Sequence, residues 1–311
     1  MNAMSEICFR LARRKVLARS VGAAGENPAT FDRSAYQAWR SSELRDQFCK
    51  DFATGDLAGR DVLDFGCGAG ELSFFVASQG PKSVIGVDLS EELVRNARAR
   101  AESEKNALQP QFFLAADTRK IDLPAHSIDI ILCFDVLEHV MDYESIIAEW
   151  KRILRPQGKV LIWWTPWLHP YGPHIESLVP LPWAHVFFSD RALIDTCARI
   201  YDLPTFKPRL WDLDASGKRK PNKWRQLDTL PGVNRLTISR FERLCAASGL
   251  RIARRRINGF GGSGLARLTH VFTALPLLRE FFASSIVYEL SADADMRNYP
   301  ARAAPAGSSA L

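Results

Sequence analysis

From residue 61 onward the chain alternates short apolar runs with stretches in which apolar residues recur every three or four positions. The apolar runs are 61–65, 83–87, 111–115, 128–134 and 159–164, and the periodic stretches between them are 71–78, 91–104 and 143–154. Short, nearly continuous apolar runs read as strands buried on both faces, and the 3.6-residue period reads as amphipathic helix. Strands alternating with helices make βαβ units, so the pattern predicts an α/β fold with a parallel sheet covered on both sides. Such sheets bind ligands beyond the carboxyl ends of their strands, where the strand order reverses.

The flanks read differently. Residues 1–25 suggest a basic amphipathic helix followed by a Gly/Ala hinge at 21–25, and 30–52 suggest one or two helices with Tyr36, Trp39, Leu44 and Phe48 at helical spacing. Those aromatics serve helix packing or, in a helix placed before a ligand-binding strand, close over the pocket. Residues 165–235 break the rhythm with Thr165-Pro166-Trp167-Leu168-His169-Pro170-Tyr171-Gly172-Pro173-His174, and a segment this long and aromatic reads as a lid or substrate wall. Within it, 189–201 reads as a helix capped by Ser189. Beyond it, 237–248 reads as a helix ended by Gly249, 250–257 and 268–273 as closing strands, 276–290 as a final helix, and 291–311 as a disordered Ala/Pro/Ser tail.

Composition adds little to this, but charge does. With 47% hydrophobic and 24% charged residues the chain has the make-up of a soluble globular protein, and no apolar run approaches the roughly 20 residues of a membrane span. The six cysteines are scattered, without C-x-x-C or Cys/His ligand spacing, which points to a reducing, cytoplasmic setting. The net charge of +6 gathers near the N-terminus (Arg10, Arg13, Arg14, Lys15, Arg19), at 218–225 and at 251–256. These clusters are solvated faces or strand edges, or they draw the chain to an anionic membrane surface, an acidic substrate or nucleic acid. An Arg-rich targeting peptide is disfavoured by Glu6 and by the lack of an evident cleavage site.

The candidate chemistry starts at Asp64-Phe65-Gly66-Cys67-Gly68-Ala69-Gly70, a strand end opening into a glycine turn. Asp88 ends the second strand, where a carboxylate can accept both hydroxyls of a ribose. Asp117 follows at the end of the third, where it can accept from an adenine amino group or simply form a turn. The turn lacks the G-x-G-x-x-G spacing suited to a pyrophosphate and the GK[ST] loop of a triphosphate site. No basic residue stands in it, so it suits an adenosine carrying an uncharged or zwitterionic appendage.

Together with Phe134-Asp135-Val136-Leu137-Glu138-His139-Val140 and Leu154-Arg155-Pro156-Gln157-Gly158-Lys159, these landmarks resemble class I S-adenosylmethionine-dependent methyltransferases, nearest to the ubiquinone-biosynthesis-type small-molecule enzymes. The match spans roughly 55–165, with 236–275 fitting more loosely. The resemblance implies a Rossmann-like doubly wound, mostly parallel seven-stranded sheet with helices on both faces and an inserted lid. It divides the chain into an N-terminal helical lid (1–55), a cofactor-binding core (56–165), a substrate insertion (166–235), the closing helix and strands with a C-terminal helix (236–290), and the tail (291–311). It implies S-adenosyl-L-methionine as cofactor, with Gly66, Cys67, Gly68 and Gly70 along the methionine and ribose and Asp64 at the amino-acid end. Asp88 takes the ribose hydroxyls, Leu89 flanks the adenine, Asp117 and Thr118 meet its amino group, and Phe134 walls the sulfonium. A reactive Cys67 thiol is the minor reading.

Methyl transfer asks mainly for in-line positioning, plus a base when the acceptor is a hydroxyl or phenol. His139 is the candidate base. In the ubiquinone-type enzymes the matching Glu-His pair goes with a divalent metal, which makes Asp135, Glu138 and His139 candidate ligands; as a structural turn, Glu138 instead caps a helix. His174, with His169, Tyr171 and His185, supplies alternative bases. The expected partner is a small hydrophobic or aromatic acceptor, methylated at oxygen or carbon and quinone- or lipid-like. Peripheral membrane contact is a further expectation, nucleic acid is disfavoured because the signature of base amino-methylation is missing after the fourth strand, and the oligomeric state is left open.

Overall fold

A computed structural model of the chain describes residues 3–21, 32–104, 107–214, 216–260 and 269–292. Between 61 and 164 the expected alternation is what folds. β1 (Asp61–Phe65), β2 (Ser83–Asp88), β3 (Gln111–Leu114), β4 (Ile128–Phe134) and β5 (Leu154–Trp164) pair in parallel. α3 (Glu71–Ala77), α4 (Glu91–Ser103) and α5 (Tyr143–Ile153) intervene, preceded in the chain by α1 (Ala3–Val21) and α2 (Arg33–Asp51). The order β3-β2-β1-β4-β5-β7-β6 reverses between β1 and β4, which opens the crevice at their carboxyl ends. All five residues of β1 are buried because both faces are covered. Leu63 and Phe65 pack in the layer of Trp150 from α5, while Val62 packs in the layer of Leu44 and Phe48 from α2.

The far edge corrects the sequence expectation. β6 (Leu250–Asn258) forms as read, after α8 (Ile238–Ser248) with its Thr237 cap. The segment expected as a strand at 268–273 is a 3-10 turn at Thr269–Ala274, with residue 268 outside the described residues. The expected C-terminal helix at 276–290 is instead one helical turn at Arg279–Phe282 followed by β7 (Ser285–Ala292), antiparallel between β5 and β6. Ile286, Val287, Tyr288 and Leu290 are all fully buried, Val287 in one layer and the other three in the opposite one. That alternation is what a two-faced strand requires, and the apolar density that suggested a helix has the same origin. Ser291 and Ala292 thus belong to the sheet. The hinge at 22–25, residues 261–268 and the tail from 293 lie outside the described residues.

The N-terminal segment does not act as one unit. α1 packs along α7 (Asp190–Tyr201), its Cys8, Phe9, Ala12 and Val16 sharing a core with Leu193, Ile194 and Cys197. Glu6 accepts from the Arg199 guanidinium at 2.9 Å, and that guanidinium lies 3.6 Å over the Phe9 ring. Only α2 reaches the crevice. The insertion is likewise no bare lid: Ile175, Leu178, Val179, Trp224 and Leu230 close around α7 and α1 as a second hydrophobic core. No helix among the described residues is long and apolar enough to cross a membrane.

Candidate active site

β1 delivers the chain into its turn, where the N–H groups of Gly66 and Cys67 both donate to the Val87 carbonyl, at 2.8 and 3.1 Å. Gly66 has φ +77°, and a Cβ there would meet Val136 Cγ2 at 2.5 Å, so only glycine lets the turn pass the loop after β4. Gly70 has φ +83° and opens α3 directly under the Phe112 and Phe74 rings, which a Cβ would meet at 2.7 and 2.9 Å. Asp88 stands at the end of β2 with Oδ2 accepting from Gly68 N (2.9 Å) and Oδ1 from Ser90 N (2.8 Å). One carboxylate therefore holds the glycine turn against the N-terminus of α4.

A cleft of about 660 Å³ lies over these strand ends. It brings together Gly66, Cys67 and Gly68, then Asp88 and Leu89, then Asp117 and Thr118, and finally Phe134, Asp135 and His139. Seven of the expected residues do not line it: Asp64, Gly70, Glu138, and the alternative bases His169, Tyr171, His174 and His185. Asp64 is 3% exposed and accepts from Ser73 Oγ at 2.5 Å behind the turn. Burial, with the charges of Glu71 and Asp88 outweighing the Ser73 hydrogen bond, pushes its carboxyl up to about 7. Gly70 shapes the helix start, Glu138 is buried beneath the post-β4 loop, and His174 stands behind His139. Asp117 lies three residues beyond β3, where the Arg119 backbone N–H (2.8 Å) and guanidinium (2.9 Å) hold its carboxylate below the usual range. Burial pushes the Cys67 thiol up, so it stays protonated at neutral pH and the reactive-thiol reading falls.

On the other wall, α2 presents Tyr36, Arg40 and Leu44. Arg40 is ion-paired to Asp135 and bonds Glu43 at 2.7 Å. Asp135 takes a left-handed backbone, φ 59°, which turns the chain out of β4. Burial alone would raise its carboxyl, but the Arg40 guanidinium wins and holds it low. Burial, with the adjacent Asp135 charge, pushes the Glu138 carboxyl well above the carboxylate range, which favours its protonated form. A cation thus already occupies the side of Asp135 that the metal reading needs. Among the described residues no three His, Cys, Asp or Glu side chains gather as metal ligands.

His139 stands exposed at the cleft surface with Nδ1 against the Gly232 carbonyl. A carbonyl only accepts, so Nδ1 carries a proton and, in the neutral ring, Nε2 keeps its lone pair. Asn234 pins the same turn, its Nδ2 donating to the Val140 carbonyl at 2.7 Å and its N–H to the Glu138 carbonyl at 2.6 Å. The His174 ring packs edge-on to His139 at 5.8 Å, and burial lowers its pKa. Burial likewise pushes His169 and His185 down to about 4. Arg40 and Asn234 were missed in the sequence. Arg40 had a usable signal, one helical turn after Tyr36 on the same face; Asn234 had none, because its partners lie more than ninety residues upstream.

Residues 63–162 match the family described as a methyltransferase domain. The chain is 38% identical over 107 residues to the ubiquinone biosynthesis O-methyltransferase of Idiomarina loihiensis, covering 34% of this chain and 43% of that protein. It is 30% identical over 140 residues to the enzyme of the same name from Neisseria meningitidis, covering 42% and 58%. The chain thus spans about half the length of the curated relatives it matches. Among solved structures, the magnesium protoporphyrin IX methyltransferase of Synechocystis with bound SAH aligns at 18% identity and TM-score 0.47, covering 93% of this chain and 99% of that one. An S-adenosylmethionine-dependent methyltransferase from Mesorhizobium loti aligns at 20% and 0.45, covering 76% and 92%.

Proposed function

We propose that this chain, which is built on a class I S-adenosylmethionine-dependent methyltransferase domain, methylates an oxygen of a small hydrophobic or aromatic acceptor. The observation that carries the reading is the meeting of two things in one cleft: the Asp88-braced glycine turn, and a histidine whose tautomer leaves Nε2 free to take a proton. The relatives named as O-methyltransferases support oxygen over carbon.

The residues present fit the cofactor. The glycine cradle lets the turn pass close under Val136, which a Cβ at Gly66 would meet at 2.5 Å, and the turn carries acids but no phosphate-binding cation. When bound, S-adenosylmethionine supplies a methyl group on an electrophilic sulfonium. Asp88 accepts from the ribose hydroxyls, Leu89 and Asp117 hold the adenine, and Gly66, Gly68 and Phe134 border the methionine end. Asp64 contributes from behind, by holding Ser73 and the start of α3. His139 Nε2 takes the acceptor's hydroxyl proton, and the Nδ1–H bond to Gly232 keeps the ring aimed. Asp135 and Arg40 set the polar wall beside it, and Glu138, buried and favoured in its protonated form, supports Asp135 rather than accepting a proton.

Nucleic acid as acceptor finds little support. Arg254, Arg255 and Arg256 on edge strand β6 are engaged with Glu289, Glu242 and Asp51, and Arg225 with Asp202. A lipophilic acceptor stored in a bilayer would favour contact with the membrane surface. The test is incubation of the chain with labelled methyl donor and a host small-molecule extract, followed by identification of the product. A labelled O-methyl aromatic or quinol bears out the reading. Labelled RNA or protein alone, or no donor binding by calorimetry, overturns it.

A further inference from the structure

α1 turns two different faces to its surroundings. Ser5, Cys8, Phe9, Ala12 and Val16 are buried, the last four in the core shared with α7. At about 100° per residue, Met4, Ile7 and Leu11 fall in a single line roughly a third of a turn from the centre of that buried face. They stand 41%, 49% and 48% exposed. Arg14 flanks this line on one side, with Arg10, ion-paired to Glu6, next to it; Lys15 lies on the other side, and Arg13 falls on the far side of the helix. Large apolar side chains in a row on a surface helix, edged by cations, need a counterpart that is apolar in the middle and anionic at the rim.

We propose that this face of α1 docks the chain on a bilayer containing anionic lipid, with Ile7 and Leu11 entering the headgroup boundary and Arg10, Arg14 and Lys15 meeting lipid phosphates. A second copy of the chain fits less well. A two-fold contact would set the cations of one helix against the same cations of the other, and three side chains fall far short of the roughly 800 Å² per partner of a stable dimer. Nucleic acid would match the cations but leaves the apolar line at the centre of the patch without a role. The docking does not depend on methyl transfer, and the two can fail separately.

Co-sedimentation of the full chain with vesicles tests it, using phosphatidylcholine alone or with one third phosphatidylglycerol. The wild type is expected to bind the anionic vesicles and to release as salt rises. Arg10→Glu/Arg14→Glu/Lys15→Glu should weaken that binding on the order of 100-fold, about fivefold per cation. Ile7→Asp/Leu11→Asp should weaken it at least about tenfold. Lys218→Glu/Lys220→Glu/Lys223→Glu, the same change of charge on a loop outside α1, should stay within about threefold. Melting curves accompany each variant; if the aspartate pair melts early, Ile7→Gln/Leu11→Gln takes its place. The proposal is overturned if the anionic vesicles are not bound, if the α1 variants bind like wild type, or if the loop variant loses as much. It is equally overturned if Ile7→Asp/Leu11→Asp abolishes a dimer or binding to a uridine homopolymer while vesicle binding persists.

Discussion

The two cores of this chain hold their functional groups in different ways. In the sheet, each donor-side residue follows directly from the end of a strand: Gly66 to Gly68 after β1, Asp88 and Leu89 at β2, Asp117 and Thr118 beyond β3, Phe134 at the end of β4. Their positions are set within a few residues of the strand that carries them. At the body formed by α1 and the insertion, key pairs meet through long-range packing: Glu6 with Arg199, Gly232 with His139, Asn234 with Val140. The proposed donor site is therefore a property of local sequence, and the proposed acceptor side a property of assembly.

The sharpest way to break that contrast is at the point where the two bodies meet. His139→Ala is expected to lower turnover with an identified acceptor by about 10²–10⁴-fold while leaving donor affinity nearly unchanged. Retained turnover would remove His139 as the base. Leu193→Ala, in the fully buried centre of the insertion core, should cost about 3 kcal/mol of stability and depress acceptor turnover without weakening donor binding by calorimetry. A parallel loss of donor binding would show that the two bodies are not separable. Asp88→Ala should weaken donor binding roughly 100-fold, since two charge-assisted hydrogen bonds and the turn they hold are lost together; unchanged affinity refutes the ribose assignment.

The smallest effect is on pH dependence, and the two cores should differ in its sign. His169 and His185 are held near 4 in the fold against about 6.5 when unfolded. Between those values the unfolded chain binds more protons, so their contribution strengthens as pH rises from about 4 to 6.5. Asp64 is held near 7 against about 3.9 when unfolded, so there the folded chain binds the extra proton and its contribution weakens as pH rises through about 4 to 7. Melting midpoints of His169→Gln/His185→Gln should lose the rising slope, and those of Asp64→Asn the falling one. Slopes that do not change would sever the link between these burials and stability.

Strand and helix periods made the five parallel strands legible, and the spacing of Gly66, Asp88 and Asp117 made their meeting in one cleft legible, because each depends on neighbours in the chain. β7 was not legible. A strand covered on both faces shows the same unbroken apolar run as a buried helix, and only its place between β5 and β6 distinguishes them. α1 read correctly as a helix and wrongly as part of a lid, since which of its faces is buried depends on α7, some 180 residues away. The tautomer of His139, the upward shift of the Glu138 carboxyl and the reach of Arg40 to Asp135 were decided by tertiary structure alone. Hydrogen-bond partners and burial are set by what packs in space, and a carboxyl or imidazole takes its charge from those surroundings rather than from its position in the sequence.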